Sequence, residues 1–122
     1  MPRILICDDD EDTAAVLGEF LEDNGFACVI THSYDQVVAR RSEALACSLA
    51  ILDVNLGSGR PSGVDLFRWM QREHYGGSVV FLTGHAGTSS MLDGARKVGV
   101  PILAKPVDGD TLLRVARQVG AA

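Results

Sequence analysis

The sequence has few cysteines and no long hydrophobic run. Its three cysteines lack the CxxC or Cys/His spacing of a zinc site. An odd number of thiols, each in or beside an apolar stretch, predicts buried, reduced cysteines rather than disulfides. No segment has the length and apolar content of a signal peptide or a membrane span. These features argue against a disulfide-stabilised, zinc-stabilised or membrane-spanning protein, and we expect a cytoplasmic location.

An excess of basic residues is also absent. Lys and Arg number 11 against 16 Asp and Glu, which gives a net charge of −5. Because nucleic-acid-binding domains usually carry a basic face, we do not expect direct nucleic-acid binding. The 47% hydrophobic content is sufficient for a core, and 122 residues are too few for two cores. We therefore expect a single domain over residues 1–122, either a complete regulator or a segment of a longer one.

Five short apolar runs alternate with segments of helical periodicity. Apolar runs without alternating polar residues are typical of parallel strands covered on both faces. Strict strand–helix alternation predicts an α/β fold, with one parallel sheet and right-handed crossovers. Pro101 in the fifth run predicts that this strand lies at an edge. The predicted strands are residues 4–7, 27–31, 49–52, 79–82 and 100–104.

The segments between these runs carry apolar residues at the spacing of one helix face. The third predicted helix spans residues 63–74 and includes Trp69 as a packing residue, and the fourth spans residues 88–98. The second is predicted as one helix with Arg41 as a polar interruption of its stripe. The stripes of the first, second and fifth helices contain Ala14, Leu17 and Leu21, then Tyr34, Val37, Val38 and Leu45, then Leu112, Val115, Ala116 and Val119.

Polar side chains end four of the apolar runs. Asp8 and Asp9 follow the first run, and Asp53, Thr83 and Lys105 follow the third, fourth and fifth. We expect these groups to meet, because ligands bind at the carboxyl ends of strands in open α/β sheets. Neighbouring carboxylates raise each other's pKa unless a cation intervenes, and Mg²⁺ prefers such oxygen ligands. Carboxylates also act as nucleophiles towards phosphoryl groups, so the set predicts a metal and phosphoryl site.

The acidic run after the first strand has a simpler interpretation for its later members. Asp10, Glu11 and Asp12 are expected to form the solvated first turn of a helix, where carboxylates cap backbone N–H groups.

The complete set of polar residues resembles the receiver domain of two-component response regulators. The resemblance covers residues 4–119 and implies a flavodoxin-like sheet of order 2-1-3-4-5 with helices on both faces. It implies a non-enzymatic switch that receives a phosphoryl group from the phosphohistidine of a sensor histidine kinase or phosphotransfer protein. It also allows a phosphorylation-dependent homodimer. The residues that carry the resemblance are Asp8, Asp9, Asp53, Thr83, Lys105 and Pro106.

The resemblance implies a role for each carboxylate. Asp53 is expected to be the phosphoacceptor. The expected ligands of Mg²⁺, with Mn²⁺ as an alternative, are Asp8, Asp9, Asp53 and the backbone carbonyl of Asn55.

Roles are implied for the later strand ends as well. Lys105, followed by a cis bond to Pro106, contacts the phosphoryl group, and Thr83 moves towards it after transfer. His85 occupies a position that affects dephosphorylation in the family, although a lone histidine is more often a solvated loop residue. Ile102 stands where the family often has an aromatic switch residue, so an aromatic rotamer switch is in doubt.

The implied output surface consists of the fourth helix, fifth strand and fifth helix. The loop 57–63 is slightly longer than is typical of the family. It is either a tolerated surface insertion or a place where Arg60 and Pro61 touch a partner or gate the site. His32 and His74 are expected to lie away from the site. The exposed candidates on the output surface are Arg96, Lys97, Arg114 and Arg117.

Three alternatives remain open. A phosphatase of the haloacid-dehalogenase type would use Asp8 as nucleophile and Asp10 as acid or base, but it would leave Asp53 without a role. A receiver that has lost phosphorylation would act only as an interaction module. A nucleotide-binding domain is least favoured, since no Gly-rich phosphate loop follows the first strand. The phosphatase motif order would also use Thr83, Lys105, Asp108 and Asp110.

Overall fold

The computed structural model describes residues 3–84 and 89–120, and within these ranges five parallel strands form one sheet. The strand order is β2-β1-β3-β4-β5, as predicted, and every neighbouring pair is parallel. All five residues of β3 are buried, because the central strands are covered on both faces. The strands are β1 (Arg3–Cys7), β2 (Ala27–Thr31), β3 (Leu49–Asp53), β4 (Ser78–Thr83) and β5 (Ile102–Ala104).

Helices cover both faces of the sheet. One apolar cluster joins α1 and α6 to one face through Leu17 and Leu112. The other cluster includes Val37 of α2, Ala44 of α3 and Phe67 of α4 on the opposite face. No helix within the described residues could cross a bilayer. The helices are α1 (Glu11–Asp23), α2 (Tyr34–Ala39), α3 (Arg41–Leu45), α4 (Gly63–Arg72), α5 (Ser89–Lys97) and α6 (Gly109–Gly120).

The prediction of one continuous second helix is wrong. Arg40 leaves helical geometry, with φ −109° and ψ 36°, and separates α2 from α3. Its guanidinium donates hydrogen bonds to the Ile30 carbonyl, at 3.2 Å, and to the Glu43 carboxylate. The break alters the phase of the apolar stripe. As a result, Val38 is 37% exposed and Arg41 begins a new helix.

The fifth strand is shorter than predicted but lies at the sheet edge, as expected. It begins at Ile102, so Val100 and Pro101 are outside it. Proline has no N–H to donate to a ladder, but its carbonyl can still accept. The Pro101 carbonyl accepts a hydrogen bond from the Phe81 N–H at 2.9 Å. Pro101 is therefore the residue immediately before β5 and is not part of the strand.

The end of α4 was also predicted too late. The helix ends at Arg72, and His74 has a positive φ of 59°. The Tyr75 N–H then donates to the Met70 carbonyl at 2.9 Å, which is the backbone pattern of a helix that stops at a left-handed residue. Trp69 packs as predicted against the core and meets Tyr34 edge to face, with ring centroids 6.3 Å apart.

The three cysteines are free thiols, as expected from their number and surroundings. Cys7 and Cys47 are buried, and Cys28 is half-buried. Burial raises the pKa of the Cys7 thiol to about 12, which keeps the thiol protonated and poorly nucleophilic.

Candidate functional site

Three carboxylates meet where β1 and β3 end at the centre of the sheet. Asp8 follows β1 directly, and Asp53 is the last residue of β3. Cys7 pairs with Leu52 in the parallel register, so the next residues, Asp8 and Asp53, lie side by side. Asp8 is fully buried, Asp53 is 4% exposed and Asp9 is exposed. One carboxylate oxygen from each of the three lies within 4.8 Å of the others.

Lys105 is the cation of this cluster. Its Nζ lies 2.8 Å from Asp8 Oδ2 and 2.8 Å from Asp53 Oδ2. The Lys105 N–H donates to the Thr83 carbonyl at 2.8 Å, which holds the backbone of Lys105 against the end of β4. The Lys105–Pro106 bond is cis, as the resemblance implied. The ammonium therefore bridges two buried carboxylates that would otherwise repel each other.

The donor set fits a hard divalent cation. Asp8 Oδ1 accepts a hydrogen bond from the Asp10 N–H, at 3.0 Å. The buried Asp8 Oδ2 has the Lys105 ammonium close by but accepts no directed hydrogen bond among the described residues. An anionic oxygen in that state is suited to a metal ion, and Mg²⁺ takes carboxylate and carbonyl oxygens. Asn55 donates its N–H to Asp53 Oδ1 at 3.1 Å, and the metal-ligand role of its carbonyl stays a prediction.

The electrostatics of the cluster make Asp53 unusual. Burial, with the neighbouring Asp8 charge, raises the pKa of Asp53 to about 6, although the Lys105 hydrogen bond opposes this. For Lys105, burial lowers the pKa, but the hydrogen bond that its ammonium donates to Asp53 and the close negative charges of Asp53 and Asp8 outweigh burial, so the pKa is raised. The ammonium therefore stays charged at neutral pH, and Asp53 is mainly a carboxylate there.

The remaining polar strand end lies on β4, the strand that pairs with β3. Thr83 ends β4, next to β3, and its hydroxyl donates to the Gly84 carbonyl at 3.3 Å. Ile102 pairs with Phe81 across β4 and β5 and is half-buried against the core. His85, the predicted modulator of dephosphorylation, lies outside the described residues.

The other acidic residues have capping roles. The Asp10 side chain accepts from the Asp12 and Thr13 N–H groups and caps α1. The Thr13 backbone hydrogen bond lowers the pKa of Asp10. Asp108 likewise accepts from the Thr111 N–H and hydroxyl at the start of α6. The solvated helix start is confirmed, and Asp10 and Asp108, two of the residues that a phosphatase would need, serve as helix caps.

Two residues at the site were missed by sequence reasoning. His32 was expected to lie away from the cluster, but its Nδ1 donates to the Asp8 carbonyl at 2.9 Å. A polar residue after the second apolar run was the signal that could have found it. Gly63 donates its N–H to the Val54 carbonyl, and a Cβ there would lie 2.1 Å from the Asp53 carbonyl oxygen. Only glycine allows α4 to begin so close to Asp53.

Comparisons with known proteins point to one family. The family model described as the response regulator receiver domain matches residues 4–117. The nitrogen assimilation regulatory protein NtrX of Azorhizobium caulinodans is 27% identical over 119 residues, which cover 94% of this chain and 25% of that protein. The acid tolerance regulatory protein ActR of Sinorhizobium medicae is 28% identical over 110 residues, which cover 90% of this chain and 55% of that protein.

A solved structure matches over nearly the whole chain. The receiver domain of NtrX from Brucella abortus superposes with a TM-score of 0.80 at 26% identity. The match covers 95% of this chain and 96% of that one. The chain thus spans about one quarter to one half of the length of the curated relatives reported above.

Proposed function

This chain belongs to the response regulator receiver domain family, and from that premise we propose that it is a phosphorylation-dependent switch with Asp53 as phosphoacceptor. The observation that carries the proposal is the cluster of Asp8, Asp9 and Asp53 bridged by Lys105 at the carboxyl ends of the central strands. Within residues 3–84 and 89–120, no other group of three or more His, Cys, Asp or Glu side chains lies close enough together to hold a metal ion. The family match also favours this function over the phosphatase alternative.

The residues divide the work of phosphoryl transfer between them. Asp53 supplies the nucleophilic oxygen, which is available because the group is mainly a carboxylate at neutral pH. Asp8, Asp9 and Asp53, with the Asn55 carbonyl, would hold Mg²⁺ or Mn²⁺, which neutralises phosphoryl charge when bound. Lys105, whose Nζ lies 2.8 Å from Asp53 Oδ2, supplies a second positive charge at the acceptor. Because Asp8 and Asp53 are buried, little water screens these charges, and the electrostatic interactions between them are stronger.

The proposed response follows from the position of Thr83 and Lys105. Thr83 is the last residue of β4 and Lys105 follows β5, and a phosphoryl group on Asp53 would draw both side chains inward. The resulting population shift would appear at the surface of α5, β5 and α6, where Arg96, Lys97, Arg114 and Arg117 are exposed. Ile102 cannot report the shift as an aromatic ring would, so we propose that β5 itself carries it.

The proposed phosphodonor is the phosphohistidine of a kinase or phosphotransfer protein in the cytoplasm. A largely apolar groove of about 540 Å³ runs from Lys105 and Pro106 along α1. Val16 of α1 lines it and is 65% exposed, which is unusual for a large apolar side chain. Because the groove begins at the acceptor cluster, we propose it as the surface on which the phosphohistidine-bearing helix docks.

Small-molecule phosphorylation tests the acceptor assignment directly. The protein is incubated with an acyl phosphate and Mg²⁺, and the adduct is located by mass spectrometry. Label is expected on Asp53 in the wild type and absent from Asp53→Asn. Asp110→Asn, an exposed carboxylate of α6, is the matched control and should be labelled normally. Equal labelling of Asp53→Asn, or label on Asp8, would refute the proposal.

The docking surface is tested with a partner kinase in place of the small donor. Val16→Asp is expected to slow transfer from the kinase about tenfold, because it places a charge in an apolar contact. The same variant should accept phosphoryl groups from the small donor at the wild-type rate. Val38→Asp, which changes an exposed valine of α2, is the control and should leave both rates unchanged. An unchanged kinase rate for Val16→Asp would remove the groove from the proposal.

A further inference from the structure

A second cleft opens beside the carboxylate cluster, on the side of α2. Its volume is about 290 Å³. That volume is close to the lower end of the roughly 300–1,000 Å³ of small-molecule sites. Among its lining residues are Asp9, His32, Gly57 and Arg60. It thus joins the exposed member of the carboxylate cluster to the loop 57–63.

A tight turn holds Arg60 at this cleft. The Arg60 N–H donates to the Gly57 carbonyl at 3.3 Å, and Gly57 has a φ of 119° that L side chains rarely adopt. A Cβ at Gly57 would lie 3.1 Å from Arg60 Cδ, so the stem of the arginine lies against the glycine backbone. The Gly57 N–H is in turn held by Asn55 Oδ1 at 3.0 Å. Arg60 is therefore tied to the segment that follows Asp53.

The charges of the cleft favour an anion next to a bound cation. Arg60 makes no ion pair with any carboxylate of residues 3–84 and 89–120, so its guanidinium is available to a ligand. His32 forms part of another wall, and its ring is oriented by the Nδ1 hydrogen bond to the Asp8 carbonyl. Asp9 would repel an anion from the cleft unless a metal ion neutralised its charge.

We propose that this cleft is the leaving-group subsite for a small acyl phosphate, with Arg60 binding the carboxylate that departs. The proposal rests on the function proposed above. In the step, the bond between phosphorus and the acyl oxygen breaks while a bond forms between phosphorus and an Asp53 oxygen. The electron pair stays on the acyl oxygen, and no proton moves because both groups are carboxylates. The planar fork of arginine fits a carboxylate with two parallel hydrogen bonds.

The chemistry of the donor distinguishes this role from a general effect of charge. An acyl phosphate releases an anion, which Arg60 stabilises as its charge develops. Phosphoramidate releases neutral ammonia, because its nitrogen gains a proton as the bond to phosphorus breaks. This leaving group presents no negative charge to a guanidinium. Arg60 should therefore accelerate transfer from the first donor and not from the second.

The experiment measures the second-order rate constant of phosphorylation of the intact chain with Mg²⁺, using acetyl phosphate and phosphoramidate. Arg60→Gln is expected to lower the rate with acetyl phosphate about tenfold, as for loss of a charged hydrogen bond. Its rate with phosphoramidate should change by about twofold at most. Arg60→Lys, which keeps the charge but not the fork, should lie between the wild type and Arg60→Gln. Arg72→Gln, in the last turn of α4, removes the same charge outside the cleft and should match the wild type.

Three outcomes would overturn the subsite while the proposed function survived. The first is an equal loss with both donors, the second is no loss with acetyl phosphate, and the third is an equal loss in Arg72→Gln. If neither donor labelled the wild type on Asp53, the proposed function itself would fail and the subsite with it. The labelling of Asp53 by phosphoramidate thus separates the two failures.

Discussion

The central strands and the edge strand of the same sheet differ in burial and in role. β3 has five residues, all of them buried, and it delivers Asp53 with its backbone fixed on both sides. β5 has three residues, none of them fully buried, and it pairs with β4 alone. This difference matches the two parts of the proposed function. Phosphoryl transfer to Asp53 would require charges at fixed positions, whereas the proposed response would require a part of the fold that moves at low energetic cost.

Matched truncations test this difference most strongly. Ile51→Ala in β3 is expected to lower the free energy of unfolding by about 4 kcal/mol, because the side chain is fully buried at the centre of the sheet. Ile102→Ala removes the same atoms from a half-buried edge position and should cost about 1–2 kcal/mol. Urea denaturation at neutral pH measures both. Equal losses would show that the edge is as firmly packed as the centre.

The close approach of Gly63 to the Asp53 backbone should give the next largest effect on stability. Gly63→Ala places a Cβ against the Asp53 carbonyl and should cost about 3 kcal/mol, since backbone must move. Gly76→Ala is the control, because no atom lies within 4 Å of its added Cβ, and its stability should change by about 1 kcal/mol or less. Thermal unfolding compares the two. Slower phosphorylation of Gly63→Ala by a small donor would confirm that this glycine positions Asp53.

The raised pKa of Asp53, at the end of the central strand β3, makes the stability of the protein depend on pH. Because the folded-state pKa of Asp53 is raised from 3.8 to about 6, the folded protein binds more protons than the unfolded chain between these values. Stability should therefore fall as pH rises from about 4 to about 6, by about 2 kcal/mol. Asp53→Asn should remove most of this slope. Denaturation curves without metal measure it, and an identical slope in the variant would contradict the assigned pKa.

Added Mg²⁺ should oppose the fall in stability that accompanies ionisation of Asp53. A cation among the carboxylates favours their charged forms, so it should stabilise the wild type more at pH 7 than at pH 5. A variant without Asp53 lacks one of the proposed metal ligands and should be stabilised less by Mg²⁺. Exposed ion pairs such as Arg96–Asp93 on α5 should contribute little to this difference, since their charges are screened by water.

Much of the fold and site followed from local pattern. Unbroken apolar runs identified the strands, and their alternation with helices predicted a parallel sheet, whereas the strand order was implied by the family resemblance. Polar residues at the ends of these runs predicted that Asp8, Asp53 and Lys105 lie together, and the ion pairs of Lys105 confirm it. These inferences succeeded because parallel strands bring their carboxyl ends to one edge, whatever the details of packing.

Contacts between distant segments required the tertiary structure. The break at Arg40 depends on the Ile30 carbonyl of a neighbouring strand, which no helical periodicity can reveal. The approach of Gly63 to Asp53 and the hydrogen bond from His32 to Asp8 also join segments that are separated in sequence. The amino-acid sequence by itself determined which groups reach the edge of the sheet, because strand periodicity is local. Only the tertiary structure decided that Lys105 bridges two carboxylates and that Arg60 lines a cleft beside them, because those positions depend on loop conformation and side-chain packing.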